Sequence, residues 1–195
     1  RDFTSADRCT AIGRSALINN TTGDFNTALG MSAGEGNVNG SNNVFLGYNS
    51  GTSHVSGSNV TVIGSGAQSS STTVSNEITI GNSSISVLRS QQTSITSLSD
   101  KRDKTNIKDS DYGLDVINSL RPVTFDWNNR DESENKGKKD VGFIAQELQK
   151  IDDESLRLVY SENPEKLEAT YGRLIPVMVK AIQELKAEIE ILKNK

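Results

Sequence analysis

Thr27-Ala-Leu-Gly-Met-Ser-Ala33, TALGMSA, decides how the first half of this chain is read, because the same phrase returns at a fixed interval. Thr10-Ala-Ile-Gly13, Thr27-Ala-Leu-Gly30, Val44-Phe-Leu-Gly47, Thr61-Val-Ile-Gly64 and Ile78-Thr-Ile-Gly81 place glycine at 13, 30, 47, 64 and 81, always 17 residues apart. A second set, Gly23, Gly40 and Gly57, keeps that period, as do the small residues Ala16, Ala33, Ser50, Ala67 and Ser84. A short β-prone run closed by glycine and followed by a Ser/Asn/Gly turn describes one coil of a β-solenoid. The strand buries apolar side chains, and glycine lets the backbone turn or approach its neighbour.

Composition divides the 195 residues in two. Residues 1–98 hold 42 Ser, Thr or Asn and nine charged side chains; residues 99–195 hold 16 and 37. The expected organisation is therefore a repeat shaft over 1–84, a stem over 85–98 in which Ile85, Val87, Leu88, Ile95 and Leu98 run as extended chain, and a different domain over 99–195.

Net charge of -4 with no basic stripe argues against nucleic acid as a partner. No apolar run reaches the roughly 20 residues of a spanning helix, so membrane insertion is not expected. The start at Arg1 reads as a cut from a longer protein rather than a signal peptide. Cys9 and His54 are the only residues of their kinds, which excludes an intrachain disulfide and the usual Cys/His metal cluster; both are expected to fill ordinary repeat positions, and no metal or cofactor is expected.

Each 17-residue unit carries only about three to six apolar side chains. At roughly 1.5 to 3 kcal/mol per large buried side chain, this hardly offsets about 1 to 2 kcal/mol of backbone entropy per residue. One copy looks underfilled, and three copies about a common axis would bury a face that one leaves wet. The phrases NTALGMSAG and NVFLGYNSG resemble the head repeats of trimeric adhesins and the shafts of phage tail fibres, over about residues 8–84. That resemblance implies a homotrimeric β-roll or β-helix.

The second half reads as α+β. Leu114, Ile117 and Leu120 share a helix face that Arg121-Pro122 ends, and Val123–Trp127 alternates as a strand. Asn128–Asp140 reads as a polar loop, Val141–Ile151 as a strand end passing into a helix, and Leu156–Tyr160 as a strand before a turn at Asn163-Pro164. Asp109, Asp111, Asp126 and Asp131 are read as surface or capping groups. In the C-terminal helix Ile175, Met178, Ile182, Leu185, Ile189 and Leu192 alternate by three and four, a coiled-coil seam of almost three heptads with Pro176 in the first turn. The other reading of its first half is an amphipathic helix packed on its own domain.

Ser99-Asp-Lys-Arg-Asp-Lys104 sets a hydroxyl and an amine five residues apart, with Ile107 expected to anchor the segment. A Ser-Lys pair replaces Ser-His-Asp only when the lysine is neutral. An ordinary lysine titrates near 10.4, so neutrality at pH 7 costs about 4.6 kcal/mol unless burial or nearby positive charge helps. By spacing alone the pair carries little weight.

Four blocks in order change that: SDKRDKTNI, LRPVTFDW, VGFIAQELQKI and YGRLIPVMVKAIQELKAEI resemble the C-terminal intramolecular chaperone domain of endosialidase tailspikes. The same domain type occurs in other phage tail fibres, in neck appendages and in the myelin regulatory factor. The resemblance implies that Ser99 is a nucleophile, that Lys104 is its base, and that the cut falls between Leu98 and Ser99. Asp100 and Arg102 match the motif as supporting residues, and backbone N–H groups nearby are expected to form the oxyanion hole. Asp103 departs from the pattern, which has an apolar residue there.

The function so implied is a self-processing chaperone that trimerises and registers a tail-fibre shaft. The assembly is expected to form in the host cytoplasm, to be carried on the virion, and to meet a host receptor through the fibre. Two other readings stand beside it: a bacterial trimeric surface adhesin, and a trimerisation module that is never cut. A conventional hydrolase lacks both a catalytic histidine and a paired-carboxylate motif.

Overall fold

The computed structural model describes residues 7–92, 94–128 and 136–194. The chain forms two compact units, one built chiefly on Arg1–Ser86 and the other on Val87–Trp127, Gly137–Ser161 and Leu167–Lys195.

The first unit is a parallel β-solenoid. Its strands are β1 (Thr10–Ile12), β2 (Thr27–Leu29), β3 (Val44–Leu46), β4 (Thr61–Ile63) and β5 (Ile78–Ile80), paired in that order. Partners lie 17 residues apart throughout, as in Ala28 with Phe45 and Phe45 with Val62. Strand alternation then decides the faces: the middle residues Ala28, Phe45 and Val62 are fully buried, while the third residues Ile12, Leu29, Leu46 and Ile80 stay 40–59% exposed. At Gly30 the backbone takes φ +136°, and a Cβ there would overlap the Gly47 carbonyl of the next coil. That is why the strand ends in glycine.

The interior of one copy is filled, contrary to the expectation of an underfilled coil. Ala16, Leu17, Ala33, Val60 and Ala67 join the middle strand residues, and Asn26, Asn37 and Asn43 are fully buried beside them. The reason is polar. Asn43 Nδ2 donates to the Gly57 carbonyl at 2.8 Å and its Oδ1 accepts the Val60 N–H at 2.9 Å; Asn26 repeats this one coil earlier, with Gly40 O at 2.7 Å and Asn43 N–H at 2.9 Å. Among the described residues no buried side-chain polar atom lacks a partner. Cys9 occupies the Asn26 position one coil earlier, its sulfur facing the Asn26 N–H at 3.4 Å. His54 takes the position of Asn20 and Asn37, with Nε2 2.9 Å from the Gly57 carbonyl.

After β5 the 17-residue register ends. Ile85, Val87, Leu88, Ile95 and Leu98 are 55–100% exposed.

The second unit holds α1 (Leu114–Ser119), the antiparallel pair β6 (Val123–Asp126) and β7 (Lys139–Gly142), α2 (Ala145–Leu148), the antiparallel pair β8 (Val159–Tyr160) and β9 (Glu168–Ala169), and α3 (Leu174–Lys193). Leu148, Leu156, Leu158, Leu174 and Val177 form its core. Gly113 offers α1 no side-chain cap, and the Glu184 carboxylate on α3 accepts the Leu114 N–H at 2.7 Å instead. No helix among the described residues is long and apolar enough to cross a membrane.

Two expectations change here, and a choice left open in α3 is resolved. The loop over Asn128–Asp140 gives way at Lys139, where β7 begins and Asp140 pairs with Phe125; the rest of that run, with Asp131, lies largely outside the described residues. The strand over Leu156–Tyr160 shrinks to β8, because Arg157 adopts φ 47° and the Asp152 carboxylate takes the N–H groups of Leu158 and Val159. In α3 the first half does pack on its own unit, but through Leu174, Val177 and Ala181; the seam residues Ile175, Met178, Ile182, Leu185, Ile189 and Leu192 remain 43–67% exposed.

Candidate active site

Ser99 and Lys104 lie at the two ends of a single tight turn. Asp100 caps a 3-10 turn over Lys101–Asp103, its carboxylate accepting the Arg102 N–H at 2.8 Å. The N–H groups of Asp103 and Lys104 reach back to the carbonyls of Asp100 and Lys101, each at 3.2 Å. The chain thus doubles back within six residues, and Lys104 Nζ donates to Ser99 Oγ at 2.6 Å.

Arg102 closes onto the same cap. Its Nε lies 3.0 Å from Asp100 Oδ1 and 3.2 Å from Oδ2, and its Nη2 lies 2.7 Å from Oδ2. This side-chain pairing, helped by the backbone N–H of Arg102, holds the Asp100 carboxyl below the usual carboxylate range, and it raises the Arg102 guanidinium in turn. Both partners are solvent-exposed, so the pair holds geometry more than it stabilises the fold.

Every residue from Leu98 to Lys104 is exposed, Leu98 at 97%. Asp103 stands beside Lys104 in the turn, also exposed. Ile107 does not anchor the segment: it is 61% exposed, next to Asn106 in the left-handed region at φ 53°. Among the described residues no group of three or more His, Cys, Asp or Glu could hold a metal ion. The spacing had no means of showing that Asp100 both caps the turn and grips Arg102, although an Asp opening a short turn with a basic residue two places on is the relevant signal.

Residues 99–157 match the family described as Chaperone of endosialidase. Over these residues, under a third of its length, the chain is similar to that family. The match opens at Ser99 and runs through α1, the β6–β7 pair and α2 of the second unit, while the fourth sequence block, from Tyr171, lies beyond it. No curated protein and no solved structure matches the chain.

Proposed function

We propose that residues 99–195 form an intramolecular chaperone of a trimeric phage tail fibre or tailspike, which sets the solenoid in register and is then released by cleavage between Leu98 and Ser99. The observation that carries this reading is the 2.6 Å contact from Lys104 Nζ to Ser99 Oγ at the first residue of the family match.

The chemistry closes on these two side chains. With Lys104 neutral, its amine takes the Ser99 hydroxyl proton as Oγ adds to the Leu98 carbonyl carbon through a five-membered ring. The Leu98–Ser99 C–N bond then breaks, and the proton passes from Lys104 to the Ser99 nitrogen. Water hydrolyses the resulting ester, leaving a carboxylate on Leu98 and a free amine and hydroxyl on Ser99. In one copy the pair faces solvent. Desolvation favours a neutral lysine, so the reading makes cutting depend on assembly.

Two exposed apolar rows support a homotrimer. Ile12, Leu29, Leu46 and Ile80 form a ladder on the outer face of the solenoid, with Met31 and Tyr48 beside it, and the α3 seam forms the other. Rows this regular mark contact surfaces, and further copies of this chain would present the same register. A slip of one coil re-pairs nearly identical strands, so a domain that aligns three chains at one end removes the ambiguity. Its later loss leaves separation without a guided return path, which traps the fibre kinetically.

A gel tests the cut. Wild-type protein is expected to yield a fragment starting at Ser99, whereas Ser99→Ala and Lys104→Ala stay full length. Solvent exposure of the pair favours a second reading, an uncut trimerisation module; wild type persisting intact after assembly would select it.

A further inference from the structure

Asp100 is a carboxylate inside the very turn that brings Lys104 to Ser99. Left free, it would attract the lysine ammonium, draw it from the serine and favour its protonated form. Both of its oxygens are instead engaged by Arg102, through one backbone and three side-chain contacts between 2.7 and 3.2 Å. Among the described residues Lys104 makes no ion pair, and its Nζ bond goes to Ser99. The other charged groups of the turn, Lys101 and Asp103, are exposed.

We infer that Arg102 is a positioning residue which occupies the Asp100 carboxylate, so that Asp100 caps the turn without capturing the lysine that must serve Ser99. This inference rests on the Ser-Lys reading. It separates two roles of Asp100: a side-chain oxygen is needed for the cap, and its negative charge is tolerated only because a guanidinium covers it. Asparagine keeps the first and lacks the second.

The test follows release of the Ser99 fragment over time, from pH 6 to 9, in full-length wild type, Arg102→Ala, Asp100→Asn and Asp100→Asn/Arg102→Ala, with Ser99→Ala as the uncut control. Arg102→Ala is expected to slow release about fivefold near neutral pH and to move the rising limb of the pH profile upward, as an uncovered carboxylate requires. The double variant is expected to return to within about 1.5-fold of wild type, because the competing charge is gone while the cap remains. A double variant as slow as Arg102→Ala, or an Arg102→Ala rate equal to wild type, overturns the inference and leaves the Ser-Lys reading intact. An uncut wild type overturns that reading and the inference with it. The clamp is also read without cleavage, from the Arg102 Nε–H NMR signal: it should be slowly exchanging in wild type and lost in Asp100→Asn, and its absence in wild type overturns the clamp.

Discussion

Leu29 and Leu46 provide the most direct handle on the proposed trimer. They point outward from β2 and β3 and retain 45% and 40% of their exposure in one copy. Fully burying a leucine contributes about 1.5 to 3 kcal/mol, so burying the remainder would add about 0.7 to 1.3 kcal/mol per side chain. Two positions in each of three chains bring this to about 4 to 8 kcal/mol per assembly. At about 1.4 kcal/mol per tenfold, Leu29→Lys/Leu46→Lys should weaken trimer association by about three to six powers of ten, before counting repulsion among the new ammonium groups. The solenoid itself should survive, because neither side chain enters its interior. The assay is light scattering at micromolar concentration in a Ser99→Ala background, with circular dichroism reporting the β-structure. A double-lysine chain that retains β-structure and runs as a monomer fits the reasoning; one with the same trimeric mass as its parent refutes it.

Asn43→Ala removes the acceptor of the buried Val60 N–H and a donor to the Gly57 carbonyl, so urea unfolding should show a loss of about 2 to 4 kcal/mol, against about 0.5 kcal/mol or less for the exposed Asn39→Ala. The Leu114 N–H bond, aided by Lys180, holds the Glu184 carboxyl below its usual range. A depressed carboxyl stabilises the fold above its unfolded value and loses that contribution only as pH falls through the lower folded one. The Leu114 amide shift should therefore titrate with a midpoint under about 4.3, and Glu184→Gln should abolish the step; a midpoint at or above that value contradicts the contact. Asp103→Val removes a carboxylate next to Lys104 and should speed fragment release several-fold, about threefold or more at pH 7 on a gel time course.

The period-17 glycines made the solenoid legible, since one residue type at one interval reports a backbone constraint that only stacking coils impose. What fills the coil was not legible. Asn26 and Asn43 read as turn residues by type, yet each closes two backbone bonds in the next coil, a role visible only once the coils are stacked. The same limit applies to Asp152, whose carboxylate replaces a strand partner for Leu158 and Val159. In α3 the three–four alternation marked an apolar seam, but the helix carries a second apolar face one residue earlier, and packing against α1 decided which was buried. At the candidate site the residue types and the family resemblance pointed to Ser99 and Lys104. The turn that joins them rests on Asp100, whose two bonding roles have no signature in spacing.

Refolding the wild-type chain by dilution over a range of concentrations, with intact-mass detection of the fragment beginning at Ser99, tests the coupling of assembly to cleavage most directly. The fragment should appear only where trimers form, at a rate that rises with concentration and then levels off as association ceases to limit it. No fragment at any concentration, or an unchanged rate where the chain is monomeric, would contradict the account.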